Sequence, residues 1–217
     1  MSLEHIYEVA CAAQSDIHEH LPKLRELASQ CEHVTEFGLR NADGSTIALL
    51  AGLAHSKAKN RTLVSWDLDP RARISTNAMH LRSMADETGV RWQLRCGDTR
   101  EILIEPTDLL FIDTYHTFAQ LRAELERHAS VARDLANGNK SVVRRWLAFH
   151  DTETFGYLGE DGTDPGLVMA IRHFQKTNFP RWQLLYDNRN CNGLSVLRRV
   201  TPDAPHVTTE IIPLRGK

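Results

Sequence analysis

The sequence lacks any long hydrophobic run. Its longest apolar stretch, Ile47–Ala51, is followed by Gly52–Ala54 and is far shorter than the roughly 20 residues that a membrane span needs. It also lacks an excess of basic residues, since 26 Lys and Arg stand against 28 Asp and Glu and the formal net charge is -2. We therefore expect neither a membrane protein nor a general nucleic-acid binder.

Cysteine is scarce as well. The four cysteines form no CxxC pair, and the gaps between them match no zinc framework. We expect free thiols in a reducing compartment, the cytoplasm. The first residues show no basic region followed by an apolar block, so no secretory signal is predicted.

The 217 residues, 41% of them hydrophobic, suffice for one large domain with some additional elements. Predicted strands alternate with predicted helices, a pattern that indicates a three-layer α/β fold with a mostly parallel sheet. We expect a helical extension over 1–30, an α/β domain over 31–200 and a C-terminal tail over 201–217. The last two strands have no helix between them and are predicted to form an antiparallel hairpin.

The strands are predicted at Val34–Gly38, Thr62–Asp67, Val90–Leu94, Asp108–Ile112, Arg145–Phe149, Trp182–Tyr186 and Leu194–Val200. The helices are predicted at Glu4–Ala13, Ser15–Gln30, Ser45–Ala54, Pro70–Glu87, Thr99–Leu103, Phe118–Leu135 and Gly166–Thr177.

Acidic residues follow five of these strands. Ligands of an open α/β sheet bind beyond the carboxyl ends of its strands, so these positions are the candidate site. A single Asp after a strand is often only a turn or capping residue. Five such ends together need partners, namely ligand hydroxyls, amines or a cation. The residues are Glu36-Phe37-Gly38, Asp67, Gly97-Asp98, Asp113-Thr114-Tyr115-His116 and His150-Asp151.

The order and spacing of this set resemble the class I S-adenosylmethionine-dependent methyltransferases. Within them the sequence resembles the branch that contains the macrocin-type sugar O-methyltransferases and the proteins labelled cephalosporin hydroxylases. The resemblance covers about residues 30–200. It implies a Rossmann-like sheet of seven strands with the last strand antiparallel, in agreement with the predicted hairpin.

The resemblance also implies a cofactor site for S-adenosylmethionine. Glu36 and Gly38 would allow the backbone to approach the methionine part, and Ser45 and Thr46 would bind its carboxylate at a helix N-terminus. Asp67 would accept hydrogen bonds from the ribose hydroxyls, and Asp98 would face the adenine amino group. The loop from Glu36 to Ser45 departs from the family pattern, because it is one residue longer and Ala42 or Asp43 stands where relatives often have glycine.

A second implied site is catalytic. Asp113, His150 and Asp151 match positions that hold a divalent cation, Mg²⁺ or Mn²⁺, in related O-methyltransferases. A cation there would lower the pKa of an acceptor hydroxyl. His116 matches a general base, because a histidine can take a hydroxyl proton near neutral pH. His150 favours Mn²⁺, Fe²⁺ or Zn²⁺ over Mg²⁺, or else contacts the substrate instead of the ion.

The polar segment Thr152–Pro165 follows these residues and is predicted to be a lid or a surface insertion. Phe155 and Tyr157 could pack on a substrate ring, whereas Glu160, Asp161 and Asp164 could bind sugar hydroxyls. The functional hypothesis is O-methylation of a small-molecule hydroxyl, that of a sugar or another natural product, assisted by a divalent cation. The protein could self-associate through its leading helices. Two alternatives stay open: a nicotinamide-dependent oxidoreductase, although GxGxxG is missing after Gly38, and a non-catalytic cofactor-binding or assembly protein.

Overall fold

A computed structural model of the protein describes residues 2–74, 76–136, 138, 142–162, 165–200 and 208–215. The chain divides into two compact units. The first comprises Met1–Ile102 and Thr107–Phe111, and the second comprises Leu103–Pro106 and Ile112–Lys217. Strands and helices alternate along most of the described chain, which confirms the predicted α/β fold class.

Four strands account for the sheet of the first unit, in the order β3-β2-β1-β4. The pairs β1–β2 and β2–β3 are parallel, as predicted. Every residue of β4 is buried, which fits its unbroken apolar run. The strands are β1 (His33–Phe37), β2 (Thr62–Asp67), β3 (Arg91–Cys96) and β4 (Thr107–Ile112).

The helices of the first unit correct several predicted boundaries. They are α1 (Leu3–Ala12), α2 (Leu21–Ala28), α3 (Ser45–His55) and α4 (Thr76–Glu87), with 3-10 turns at His18–His20 and Pro70–Ile74. The predicted helix Ser15–Gln30 is wrong at its start, because Pro22 occupies the first turn of α2 and the helix begins there. The predicted helix Thr99–Leu103 is only a turn, closed by the N–H groups of Glu101 and Ile102 on the carbonyl of Asp98.

Close packing of α2 on α3 depends on Gly52. A Cβ atom at this position would lie 2.5 Å from the carbonyl oxygen of Arg25 and 2.6 Å from the Cβ of Ala28. Helix propensity alone predicts that Gly52→Ala is stabilising by about 1 kcal/mol. We expect the opposite sign, a loss of roughly 1–3 kcal/mol, because the two backbones must move apart. Urea unfolding measures the difference, and an increase in stability would contradict this packing.

The second unit contains four further strands, in the order β5-β7-β6-β8. β7 is antiparallel to both β5 and β6, which confirms the predicted hairpin. β8 pairs in parallel with β6 and is an eighth strand where seven were predicted, because three residues in the expected tail are too short for a periodic signal. The strands are β5 (Val143–His150), β6 (Trp182–Asn188), β7 (Leu194–Arg199) and β8 (Glu210–Ile212).

The helices of the second unit are α5 (Phe118–His128), α6 (Val131–Ala136) and α7 (Leu167–Thr177). The single helix predicted over Phe118–Leu135 is therefore wrong. Ser130 interrupts it, because its hydroxyl donates to the carbonyl of Glu126 and accepts the N–H of Arg133. The predicted helix stop at 137–139 lies mostly outside the described residues.

The described residues bear on two expectations from the sequence, the one about membrane spans and the one about free thiols. No helix there combines the length and the apolar character that crossing a membrane would require. The four cysteines all lie within these ranges and form no disulfide with one another.

Candidate active site

The turn after β4 places two titratable side chains at the start of the second unit. Asp113 follows the strand directly, and His116 comes just before Thr117, the N-cap of α5, whose hydroxyl accepts the N–H of Gln120. The hydroxyl of Thr114 donates to the buried carboxylate of Glu124, one turn into the helix from Gln120. The strand end and the helix start thus fix the turn from both sides.

Two more titratable groups come from the end of β5. His150 is its last residue and is almost fully buried. Asp151 adopts a left-handed backbone conformation with φ of 58° and is only 6% exposed. Such a conformation is unusual for a residue other than glycine and often marks a functional site.

These four side chains meet in one cluster, as the sequence predicted that the strand ends would. The Nε2 atom of His116 lies 3.1 Å from Asp113 Oδ1 and 2.9 Å from Asp151 Oδ2. The Nδ1 atom of His150 lies 3.5 Å from one carboxylate oxygen of each aspartate. Two imidazoles and two carboxylates therefore share one partly buried volume.

The opposite charges in the cluster shift the pKa values of its members. Burial alone would lower the pKa of His116, but its hydrogen bonds to Asp113 and Asp151 outweigh burial and raise that pKa to about 10. The pKa of His150 is raised against its burial by the same two carboxylates. Burial opposes ionisation of Asp113 and Asp151, yet the two histidines hold the pKa of each aspartate below its usual value.

The donor set suits a divalent cation. Candidate ligand atoms of Asp113, His150 and Asp151 lie within 4.8 Å of one another. Two ligand atoms on opposite sides of one ion, each about 2.1–2.5 Å from it, are separated by a similar distance. Among the residues that the structure describes, none donates a hydrogen bond to the buried Oδ1 atom of Asp151. A buried acceptor without a donor is costly, and a cation would satisfy it.

The segment after β5 is tied to its surroundings through its backbone. The N–H groups of Glu153 and Thr154 donate to the carbonyl of Asn192, and that of Leu167 donates to the carbonyl of Phe155. A Cβ on Gly166 would lie 2.2 Å from the same Phe155 carbonyl oxygen. The first residues of the predicted lid are therefore held by backbone hydrogen bonds and lie close to the start of α7; Asp164 lies outside the described residues.

Two side chains of this segment contact His116. The ring of Phe155 stacks on the imidazole, with 4.9 Å between the ring centroids and 14° between the planes. The Oε2 atom of Glu160 lies 2.8 Å from His116 Nδ1. The sequence predicted substrate contacts for both Phe155 and Glu160. Their contacts with His116 could not be predicted, because no local sequence pattern indicates a contact between residues so far apart in the chain.

In the first unit, three predicted cofactor residues form a buried hydrogen-bonded group. Glu36 is fully buried and accepts hydrogen bonds from Ser45 Oγ at 2.8 Å, Thr46 Oγ1 at 3.0 Å and Ser65 Oγ at 2.5 Å. The indole N–H of Trp92 donates in turn to Ser65. Glu36 thereby attaches β1 to the start of α3, whose N-cap is Gly44.

The loop between β1 and α3 follows a left-handed course. Gly38 has φ of 86°, and Arg40 and Ala42 have φ of 51° and 57° at positions where glycine would be unstrained. The N–H groups of Leu39 and Arg40 both donate to Oδ2 of Asp67 at 2.9 Å. Asp67 thus stabilises the loop that the sequence assigned to the cofactor.

Asp98, the predicted adenine contact, lies in an exposed pair with Arg100. Its Oδ2 atom is 2.6 Å from Arg100 Nη2, and its Oδ1 atom accepts the N–H of the same residue. The side-chain hydrogen bond to Arg100 lowers the pKa of Asp98. The carboxylate is therefore ionised and oriented beside the end of β3.

Comparison with known proteins gives structural matches alone. Neither a family model nor a curated protein matches the sequence. An O-methyltransferase from Bacillus cereus in complex with SAH is 17% identical with a TM-score of 0.57, covering 91% of this chain and 90% of that one. The O-methyltransferase TomG from Streptomyces achromogenes, involved in tomaymycin synthesis and in complex with SAM, is 15% identical with a TM-score of 0.57, covering 87% and 82%.

A third similar structure is the SAH-bound methyltransferase PaMTH1 from Podospora anserina. It is 16% identical with a TM-score of 0.56, covering 92% of this chain and 88% of that one. Identities this low show a shared fold, and fold alone does not assign function. The chain therefore has the Rossmann-like fold of the S-adenosylmethionine-dependent methyltransferases, as its sequence suggested.

Proposed function

We propose that the protein is an S-adenosylmethionine-dependent O-methyltransferase that acts on a small-molecule hydroxyl with the help of a divalent cation. The observation that carries this proposal is the cluster of Asp113, His116, His150 and Asp151. The reaction needs groups that bind a cation, which in turn holds the acceptor hydroxyl, and a group that takes the hydroxyl proton. The two carboxylates and the imidazole of His150 suit the first role, and the imidazole of His116 suits the second.

The first unit supplies features that suit the cofactor. Helix α3 has no side-chain cap, so its N-terminal N–H groups suit a carboxylate such as that of the methionine part. Asp67 accepts three backbone hydrogen bonds, two at Oδ2 and one from Asp69 at Oδ1. A carboxylate offers about four acceptor sites, which leaves capacity for a ribose hydroxyl.

In the second unit, Asp113, His150 and Asp151 would hold the cation. When bound, it would lower the pKa of the acceptor hydroxyl and fix the position of its oxygen. His150 favours Mn²⁺ over Mg²⁺ among the candidate ions.

His116 has the proton-accepting role. Its Nε2 atom faces the two aspartates, which hold the ring protonated when no cation is bound. A cation bound to the same two carboxylates would favour the neutral ring, which can then take the hydroxyl proton. The oxygen then bonds to the methyl carbon while the carbon–sulfur bond breaks and S-adenosylhomocysteine leaves. This displacement needs chiefly alignment, so orientation of the acceptor supplies much of the rate.

Calorimetry and a transfer assay test the proposal. We expect S-adenosylhomocysteine to bind with a dissociation constant in the micromolar range, and the labelled methyl group to reach a sugar or phenolic acceptor in the presence of Mn²⁺. A folded protein that binds NADH but not S-adenosylhomocysteine would instead favour the oxidoreductase alternative.

A pair of variants tests the cofactor site. We expect Asp67→Ala to weaken binding of S-adenosylhomocysteine at least about 10-fold, because the loop after β1 loses its anchor and the ribose loses its acceptor. Asp69→Ala is the matched control, since Asp69 is two residues away and pairs with Arg71 at the surface. Equal dissociation constants for the two variants, measured by calorimetry, would place the cofactor elsewhere.

A further inference from the structure

His150 and Asp151 are neighbours in the chain, yet their side chains face the same small volume. The Nδ1 atom of His150 lies 3.5 Å from Asp151 Oδ2. Consecutive side chains of an extended strand point to opposite faces of the sheet. The left-handed backbone of Asp151, with φ of 58°, ends this alternation directly after the last residue of β5. This conformation therefore allows both side chains to offer ligand atoms to one ion.

A second left-handed segment lies next to the backbone that follows Asp151. Residues 191–193, here called the 191–193 turn, lie in the connection from β6 to β7 and have φ of 44°, 68° and 97°. The carbonyl of Asn192 accepts the N–H groups of Glu153 at 2.7 Å and of Thr154 at 3.1 Å. The turn thus binds the backbone two and three residues after Asp151.

Gly193 allows the two segments to approach each other closely. A Cβ atom at this position would lie 2.4 Å from the backbone nitrogen of Glu153 and 2.8 Å from Thr152 Oγ1. The positive φ of Gly193 is a second, independent reason for glycine here. Any side chain at this position would therefore displace the backbone that follows Asp151.

One continuous stretch of chain holds the residues on both sides of Asp151. Before it, His150 pairs with Leu194 in the antiparallel ladder of β5 and β7. After it, the hydroxyl of Thr152 lies 3.3 Å from that of Ser195, and both side chains are buried. Asp151 therefore lies between two fixed points, and its backbone has little room to return to an extended conformation.

We propose that Asn192 and Gly193 are positioning residues that hold Asp151 in its left-handed conformation, so that its carboxylate and the imidazole of His150 can bind one cation. The inference rests on the proposed function, in which Asp113, His150 and Asp151 hold that ion. It gives the connection between β6 and β7 a role in cation binding that the sequence did not indicate.

Two substitutions of Asn192 separate the backbone conformation from the side chain. Asn192→Gly and Asn192→Val both remove the amide of this half-buried residue, but glycine adopts a positive φ readily and a β-branched residue does not. We expect Asn192→Val to raise the dissociation constant of Mn²⁺ about 10-fold, an effect typical of residues that orient metal ligands. Asn192→Gly should change it less than about 2-fold. Calorimetry with Mn²⁺ alone measures both.

Gly193→Ala tests the close approach of the two segments. We expect the dissociation constant of Mn²⁺ to increase at least about 10-fold, because the added Cβ displaces Glu153. Gly138→Ala is the matched control, since Gly138 also has a left-handed backbone, with φ of 65°, but a Cβ there would meet no described atom within 4 Å. This control should lose some stability and bind Mn²⁺ with less than about a 2-fold change.

Two further readouts distinguish positioning from a general loss of structure. The dissociation constant of S-adenosylhomocysteine should change less than about 2-fold in every variant, because the proposed cofactor residues all lie in the first unit. Amide hydrogen exchange at Glu153 and Thr154 should be faster than in the wild type in Asn192→Val and in Gly193→Ala. In Asn192→Gly it should stay near the wild-type rate, because the carbonyl acceptor keeps its position.

Mn²⁺ binding as tight as that of the wild type in both Asn192→Val and Gly193→Ala would overturn the inference. A parallel loss of S-adenosylhomocysteine binding would also overturn it, since the turn would then support the fold as a whole. A wild type that binds no Mn²⁺ would refute the proposed cation site instead. In that case the exchange at Glu153 still decides whether the turn holds the backbone after Asp151: an unchanged rate in Asn192→Val would overturn this, and a faster rate would uphold it.

Discussion

Asp151→Asn is expected to lower kcat/KM for methyl transfer at least about 10²-fold and to weaken Mn²⁺ binding by a similar factor. Asp151 is nearly buried, and its Oδ2 atom lies 2.9 Å from His116 Nε2. Its Oδ1 atom accepts no hydrogen bond from the described residues and is the acceptor best placed to receive a cation. Asparagine retains the shape of the side chain but replaces one acceptor oxygen by a donor.

Glu153→Gln is the matched control for this prediction. Glu153 lies two residues further along the chain, and its carboxylate pairs with Arg189 at 2.7 Å. We expect Mn²⁺ binding, measured by calorimetry, and the transfer rate to change less than about 2-fold in this variant. If Asp151→Asn bound Mn²⁺ as tightly as the wild type does, the cation would have to lie at other ligands.

The position of the cluster was predictable because it depends on topology. The carboxyl ends of strands are where an α/β fold collects its ligands, and Asp113, His116, His150 and Asp151 each follow or end a recognisable apolar run. Their chemistry depends on residue type alone, which the sequence shows directly. What could be predicted was therefore that the side chains at the ends of β4 and β5 lie close together.

What could not be predicted is which groups already engage one another. Glu36, Ser45 and Thr46 were each predicted to face the cofactor, yet in the structure they bond to one another. The contact of Glu160 with His116 spans 44 positions and has no local pattern. Such pairings depend on side-chain geometry within a fold, whereas periodicity reports only which face of an element is buried.

The break between α5 and α6 has a similar cause. Apolar spacing continues across Ser130, so the sequence predicts one helix. The hydroxyl of Ser130 and the side chain of Asn178, which accepts the N–H of Val131, provide alternative partners for the backbone. A capping contact from a residue 47 positions away is invisible to a pattern that considers one turn at a time.

The free energy of unfolding of the cation-free protein is expected to decrease as the pH rises from about 6.5 toward 10. The pKa of His116 is near 6.5 in an unfolded chain and is raised to about 10 in the folded protein. Below pH 6.5 both states bind the proton, and the full stabilisation by Asp113 and Asp151 is present. Between the two pKa values only the folded state retains the proton, so stability decreases by at most about 1.4 kcal/mol per pH unit.

The other members of the cluster set the limits of this window. The raised pKa of His150 acts in the same direction as that of His116, so it steepens the alkaline decline. The lowered pKa values of Asp113 and Asp151 contribute stability that is present above their unfolded values near 3.8 and is lost as the pH falls through the folded ones. Stability in the absence of a cation should therefore be greatest between about pH 4 and 6.5.

Urea unfolding in EDTA at pH 5.5, 7.0 and 8.5 measures the slope. His116→Asn should flatten it, because the variant has no ring to titrate between the two carboxylates. His5→Asn, which removes an exposed histidine from α1, should leave it unchanged. Stability that stays constant or increases from pH 6.5 to 8.5 would contradict an imidazolium at this position. Excess Mn²⁺ should also remove the slope, because a cation held by Asp113 and Asp151 replaces the positive charge that His116 otherwise supplies.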